Sequence, residues 1–110
     1  MIIRGGENIY CVEIENRLVE HPVITDAAVI GVPHAELGEE VKAVVQVEAG
    51  TEGESLTADD VRRWVAAELA HFKVPAHVEL RSEPLPRNAS GKLLKNVLRG
   101  AREVSFVETM

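Results

Sequence analysis

Cysteine occurs once in the 110 residues, as Cys11, which excludes an internal disulfide framework. Aromatic residues make up only 4% of the chain, too few for the stacked platforms that grip single-stranded nucleic acid. A surplus of basic residues is also missing: 12 Lys and Arg face 18 Asp and Glu, and the net charge of −6 disfavours a general polyanion binder. No apolar run approaches the ~20 residues of a membrane-spanning helix. Met1 opens no signal peptide either, because Arg4 is followed at once by Gly5, Gly6, Glu7 and Asn8 with no apolar stretch behind them. The expectation is a reducing, cytoplasmic setting with no membrane span and no nucleic-acid partner.

What is present suffices for one small domain spanning 1–110. A chain of this size buries roughly 65% of the surface its unfolded form exposes, and 45% hydrophobic residues can furnish that core. The net charge hides an asymmetry. Residues 1–72 carry 5 basic and 14 acidic side chains, and residues 73–110 carry 7 and 4, so the two parts stand at −9 and +3.

Met1 to Arg4, then Gly5-Gly6, then Glu7 to Tyr10 read as a β-hairpin with a glycine turn. From Cys11 the spacing turns helical, with Cys11, Ile14 and Leu18 on one face, and Pro22 ends a helix of about two and a half turns. Ala27 to Val32 form an apolar run ending at Pro33, and Val41, Ala43, Val45 and Val47 alternate with Lys42, Val44, Gln46 and Glu48; both predict strands, the second half-exposed, paired antiparallel. His34 to Gly38 connect them, and Gly50 to Glu54 form a polar loop. Thr57 with Asp60 predicts a capping box, and Val61, Trp64, Val65, Leu69 and Phe72 trace one apolar stripe that places Trp64 in the core. Val78 and Leu80 suggest one more strand, and Leu93, Leu94, Val97 and Leu98 a terminal helix. The class is α+β: an N-terminal hairpin and a three-stranded, mostly antiparallel sheet packed by about three helices.

Chemistry concentrates at Asn88-Ala89-Ser90-Gly91-Lys92. A phosphate-binding P-loop is excluded, since Pro86 stands where its first glycine belongs and Leu93 where its Ser or Thr belongs. Asn88-Ala89-Ser90 is formally a glycosylation sequon, without a secretory signal to support it. What remains is Lys92 at a loop-to-helix junction, where a cation beside helix N-terminal amides can clamp a phosphate or carboxylate or simply be solvated. His21, His34, His71 and His77 lack metal-ligand spacing, so no metal site is expected. Cys11 reads as a small packed residue, and the single Arg4-Gly5-Gly6 element is weak support for RNA binding.

Two motifs carry a resemblance. Met1 to Tyr10 with Val12-Glu13-Ile14-Glu15 resembles the hairpin signature that opens the C-terminal domain of adenylate-forming acyl-CoA ligases, and Leu85 to Lys92 resembles that family's closing motif. Ile24 to Gly31 and Phe72-Lys73-Val74-Pro75 agree as well, and the likeness covers nearly the whole chain. Within the superfamily it is more similar to fatty-acyl and aryl CoA ligases than to peptide-synthetase domains or luciferases. The resemblance implies a mobile C-terminal domain that presents Lys92 to the carboxylate and phosphate oxygens during adenylation. It then rotates so that the hairpin, with Gly5, Gly6, Glu7 and Asn8, lines the pantetheine tunnel of CoA. It implies ATP, CoA and Mg2+ in the complete enzyme, none held tightly by this chain alone, and a carboxylic (fatty) acid substrate. An N-terminal ATP-binding domain is the implied partner, and that domain and the hinge are expected upstream of Met1. On those terms the chain alone is inactive. The competing reading is a free-standing interaction module that docks to an adenylation domain or acyl-carrier partner. Lys95, Arg99 and Arg102 are assigned no partner, the N-terminal domain and the CoA phosphates both being open. Cys11 stands where relatives commonly have proline.

Overall fold

The computed structural model describes residues 1–50, 53, 55–95 and 97–98. Strands β1 (Ile2–Arg4) and β2 (Glu7–Ile9) form the hairpin. Helix α1 (Cys11–Val19) follows, then the long strands β3 (Ile24–His34) and β4 (Gly38–Val47). Helix α2 (Ala58–Ala66), a 3-10 turn at His71–Lys73 and β5 (His77–Arg81) complete the order.

The α+β class and the antiparallel β3–β4 pair are as expected, but the sheet has five strands, not three. The hairpin does not stand apart: β1 joins β4 antiparallel at Arg4↔Gly38, giving the order β2-β1-β4-β3. β5 adds to β4 in parallel, from Lys42↔His77 to Gln46↔Arg81. β4 is therefore central, with β3 along one side and β1 and β5 in succession along the other. The β3–β4 ladder begins at Ile24 and runs through Pro33 to His34, beyond both ends of the apolar run. Pro33 is exposed there, and a proline on the outer strand of a sheet removes no interior donor. The connector is set by the His34 ring, whose Nδ1 accepts the N–H groups of Glu36 (3.1 Å) and Leu37 (2.9 Å).

Alternation along β3 and β4 feeds two cores, one on each face of the sheet. Ala27, Val29, Val41, Ala43 and Val45 meet α1 and α2 through Ile14, Leu18, Val61 and Val65, with Ile2 and Ile9 of the hairpin beneath them. On the other face Ala28, Ile30, Val32 and Val44 are covered by Leu85, Leu98 and Leu93. The segment after β5 thus lies across the face that the helices leave open, which positions Lys92.

The Thr57 capping box is complete: the Thr57 hydroxyl accepts the Asp60 N–H (3.1 Å) and the Asp60 carboxylate accepts the Thr57 N–H (3.0 Å). Those bonds, the Thr57 N–H bond foremost, hold the Asp60 carboxyl below its ordinary range. α2 ends at Ala66, earlier than the apolar stripe suggests, because Ala70 turns extended before the 3-10 turn. Leu69 and Phe72 still pack against the core from outside the helix. Trp64 is not a core residue: it is half-buried and clasps α1. Its Nε1–H donates to the Arg17 carbonyl (2.8 Å), Arg17 Nε–H donates to the Trp64 carbonyl (2.8 Å), and the guanidinium lies 3.8 Å from the ring centroid. Cys11 opens α1 as a free, half-buried thiol packed against the core. The terminal helix starts later than expected: Leu93 forms an isolated antiparallel bridge with Arg87, Leu94 is not helical, and Lys95, Val97 and Leu98 are, so Lys92 lies in the loop and not at the helix junction. Residues 51, 52 and 54 of the polar loop, and Arg99 and Arg102, lie outside the described residues. Among the described residues no helix is long and apolar enough to cross a membrane.

Candidate functional site

The Lys92 loop is built on one carboxamide. Asn88 Oδ1 accepts the Ser90 N–H (3.0 Å), the Ser90 hydroxyl (2.9 Å) and the Lys92 N–H (2.9 Å). The Asn88 N–H returns to the Lys92 carbonyl and the Gly91 N–H to the Asn88 carbonyl, both at 2.9 Å. Gly91 completes the turn at φ +88°, a conformation that favours glycine. Such a ring of local side-chain bonds is what Asn offers a turn.

Arg87 ties the loop to the sheet. Its guanidinium forks onto the Asp26 carboxylate of β3 (2.7 Å) and donates to the Gly91 carbonyl (2.6 Å). Leu85 is buried beneath, and Leu94 N–H bonds the Pro86 carbonyl at 2.9 Å. Lys92 itself is exposed and forms no ion pair with any described residue. The main chain is fixed and the ammonium is free, an arrangement suited to an incoming anion. Lys95 differs: its ammonium sits 2.8 Å from Glu15 of α1, whose carboxylate also accepts the Val29 N–H on the outer edge of β3 (2.8 Å). Lys95 thus fastens the segment to α1.

The hairpin residues lie elsewhere. Gly5 and Gly6 adopt φ +56° and +88°, the paired left-handed conformations that a two-residue hairpin turn demands. Both are exposed, as are Glu7 and Asn8. A Cβ on Gly6 would meet nothing within 4 Å, whereas one on Gly5 would crowd Leu37 Cδ2 at 3.1 Å. Three successive contacts grip β1: Gly5 N–H to the Leu37 carbonyl (2.9 Å), the Arg4↔Gly38 bridge, and Ile3 N–H to Glu39 Oε1 (2.9 Å). The hairpin is anchored at Gly38, and the lysine loop at Asp26, which pairs with Gln46. Those anchors are about 26 Å apart along β4 at ~3.3 Å per residue. The structure therefore does not bring Lys92 and Gly5-Asn8 together; it holds them at opposite ends of one strand.

The roles of Asn88, Arg87 and Asp26 are not visible from residue types alone. The Asn88-x-Ser90-Gly91 spacing is the available signal, since Asn two residues before a Ser-Gly pair favours such a turn. Nothing local pairs Arg87 with Asp26, 61 residues away. Among the described residues no group of three or more His, Cys, Asp and Glu side chains is placed to hold a metal ion.

A small α+β domain with an anchored, outward-facing lysine at one end of its central strand and a glycine-tipped hairpin at the other is a known building block. Residues 13–92 match the AMP-binding enzyme C-terminal domain, and the chain belongs to that family. It is 46% identical over 99 residues to the crotonobetaine/carnitine-CoA ligase of Salmonella arizonae, a match covering 90% of this chain and 18% of that ligase. Among solved structures it superposes on a fatty acyl CoA synthetase of Mycobacterium tuberculosis with a TM-score of 0.83 and 35% identity, over 96% of this chain and 20% of the other. ATP-bound MatB of Rhodopseudomonas palustris aligns with a TM-score of 0.81 and 41% identity, over 90% and 19%. The chain thus spans about a fifth of the length of the proteins it matches.

Proposed function

We propose that this chain is the small, mobile domain of an ATP-dependent acyl-CoA ligase, working against an N-terminal ATP-binding domain. Lys92 serves the first half-reaction and the Gly5-Asn8 hairpin the second. In the first, a carboxylate oxygen attacks the α-phosphorus of ATP, the bond to pyrophosphate breaks, and an acyl-adenylate forms. In the second, the CoA thiol attacks the acyl carbon, AMP leaves, and a thioester results. ATP with Mg2+ and CoA are the co-substrates of the complete enzyme.

The observation that carries this reading is the state of Lys92: an exposed cation with no ion pair among the described residues, whose main chain is locked by Asn88 and Arg87. A cation held there offsets repulsion between carboxylate and phosphate and stabilises the charge that builds as they react. The hairpin suits its part because two glycines let backbone approach a thin thiol arm closely. The basic end of the chain, +3 over residues 73–110, is consistent with a phosphate-facing surface.

The test is Lys92→Ala in the full-length polypeptide that contains this domain. ATP–pyrophosphate exchange should fall by about 10²-fold or more, the scale of losing one preorganised electrostatic contact. Thioester formation from supplied acyl-adenylate should persist. Unimpaired exchange would overturn the role given to Lys92.

A further inference from the structure

Glu39 stands out among the described carboxylates because it pairs with backbone alone, whereas Glu15, Asp26 and Asp60 combine a backbone bond with an ion pair. It forms no ion pair among the described residues, and its Oε1 accepts the main-chain N–H of Ile3 at 2.9 Å. The space its carboxylate occupies is made by Gly31 on the neighbouring strand. A Cβ on Gly31 would lie 2.5 Å from Glu39 Oε2 and 3.1 Å from Cδ. Gly31 is buried and has an ordinary φ, so clearance, not backbone conformation, is what its missing side chain provides here, chiefly for the carboxylate and also for Ile2, whose Cγ1 would lie 3.3 Å from that Cβ. Ile2 and Ile9 root the base of the hairpin in the core, but toward its tip the polar hold of β1 on β4 consists of the Arg4↔Gly38 pair, flanked by the Gly5–Leu37 bond on one side and the Ile3–Glu39 bond on the other.

We propose that Glu39 is a positioning residue for the hairpin: seated in the notch left by Gly31, its carboxylate holds the Ile3 N–H and so fixes the angle at which the Gly5-Gly6 tip projects. The inference rests on the function proposed above, in which that tip serves thioester formation and Lys92 serves adenylation. Glu39 touches neither reactant. Its effect is confined to the half-reaction that uses the hairpin, since the Lys92 loop is anchored at the far end of β4.

Three variants in the full-length polypeptide test this: Glu39→Ala removes the acceptor, Glu39→Gln keeps an amide oxygen in its place, and Gly31→Ala fills the notch. Thioester formation from supplied acyl-adenylate should drop about tenfold in Glu39→Ala, the scale of one hydrogen bond to a charged group. ATP–pyrophosphate exchange should stay within about twofold of the parent, since sites this far apart act independently. Glu39→Gln should restore most of the thioester rate, and Gly31→Ala should behave like Glu39→Ala. Hydrogen exchange of the peptide covering residues 1–9 should quicken in Glu39→Ala while peptides from β3 and β4 stay protected, which separates a loosened hairpin from a misfolded domain. The proposal is overturned if Glu39→Ala leaves thioester formation intact, or slows both half-reactions equally. Lys92→Ala in the same background keeps the two readings distinguishable: a normal adenylation rate there removes the proposed function, whereas a lost one with an unaffected Glu39→Ala removes only this inference.

Discussion

Asn88 gathers three donors on one oxygen, and that acceptor makes the side-chain share of the bonds that hold the Lys92 main chain, beside the Asn88–Lys92 and Asn88–Gly91 backbone bonds and the Arg87–Gly91 bond. Replacing it with alanine strands the Ser90 and Lys92 N–H groups in a solvent-facing turn. We expect Asn88→Ala to raise amide exchange across residues 88–92 about tenfold, as losing bonds of ~1 kcal/mol each would do. The melting temperature should move by less than about 2 °C, because the loop is peripheral to both cores. A shift of the whole melt instead would mean that the loop is part of the folding unit. At this scale the sequence is informative where a residue acts on its neighbours: Gly5, Gly6, Gly91 and Thr57 do what their types and positions announce. It is silent where the partner is remote. Lys95 reads as a solvated or anion-facing cation until the fold brings Glu15 to 2.8 Å, and no spacing rule joins residues 80 positions apart.

The α1–α2 pair is held by polar bonds at its rim as much as by its core. Around Trp64 and Arg17 stands His21, its ring 4.7 Å from the indole and its Nδ1 accepting the Val23 N–H. Burial lowers the His21 pKa from the ordinary 6.5, outweighing the attraction of Asp60, and Arg17 lowers it further. A base whose folded pKa is depressed resists protonation only in the folded state, so stability falls as pH drops through 6.5. Asp60, depressed from 3.8, stabilises above that value, and its share is lost as pH falls below it. The bond to His77 likewise holds the Glu40 carboxyl below its ordinary 4.5. Melts between pH 7 and pH 3 should therefore show one decline through 6.5 from His21 and a second in the carboxylate range shared by Glu40 and Asp60. Thr57→Ala at pH 7 should cost about 1 kcal/mol, or roughly 4–8 °C. A flat profile would contradict the helix-cap and His21 assignments. The elements themselves are legible from period and caps. The parallel docking of β5 on β4 is not, because it joins residues 42–46 to residues 77–81 across a crossover through α2, and no local pattern fixes a register between segments that far apart. The end of α2 is likewise hidden, since the apolar stripe continues through Leu69 and Phe72 after the helix has stopped.

On the scale of the whole molecule the sheet serves two unequal cores. The helix-side core is large, whereas the opposite one consists of four strand residues, Ala28, Ile30, Val32 and Val44, under Leu85, Leu93 and Leu98. Leu85→Ala should therefore destabilise by ~2–4 kcal/mol and should do so locally, with limited proteolysis cutting residues 84–94 before the helices. Simultaneous loss of both regions would show that the faces fold as one unit. The apolar run in β3 and the alternation along β4 announce strands, yet it takes the structure to reveal that both faces are covered and that the cover on the second is the lysine segment.

β4 also joins two anchors that point to different tasks, with Gly38 at the hairpin and Gln46 beside the Asp26–Arg87 pair. On the proposed reading it works as the beam of a lever. A rotation of the domain as one body would move both ends together, so that withdrawing the lysine and delivering the hairpin would be one stroke. A crosslink or ligand that seizes either end would then halt the half-reaction performed at the other.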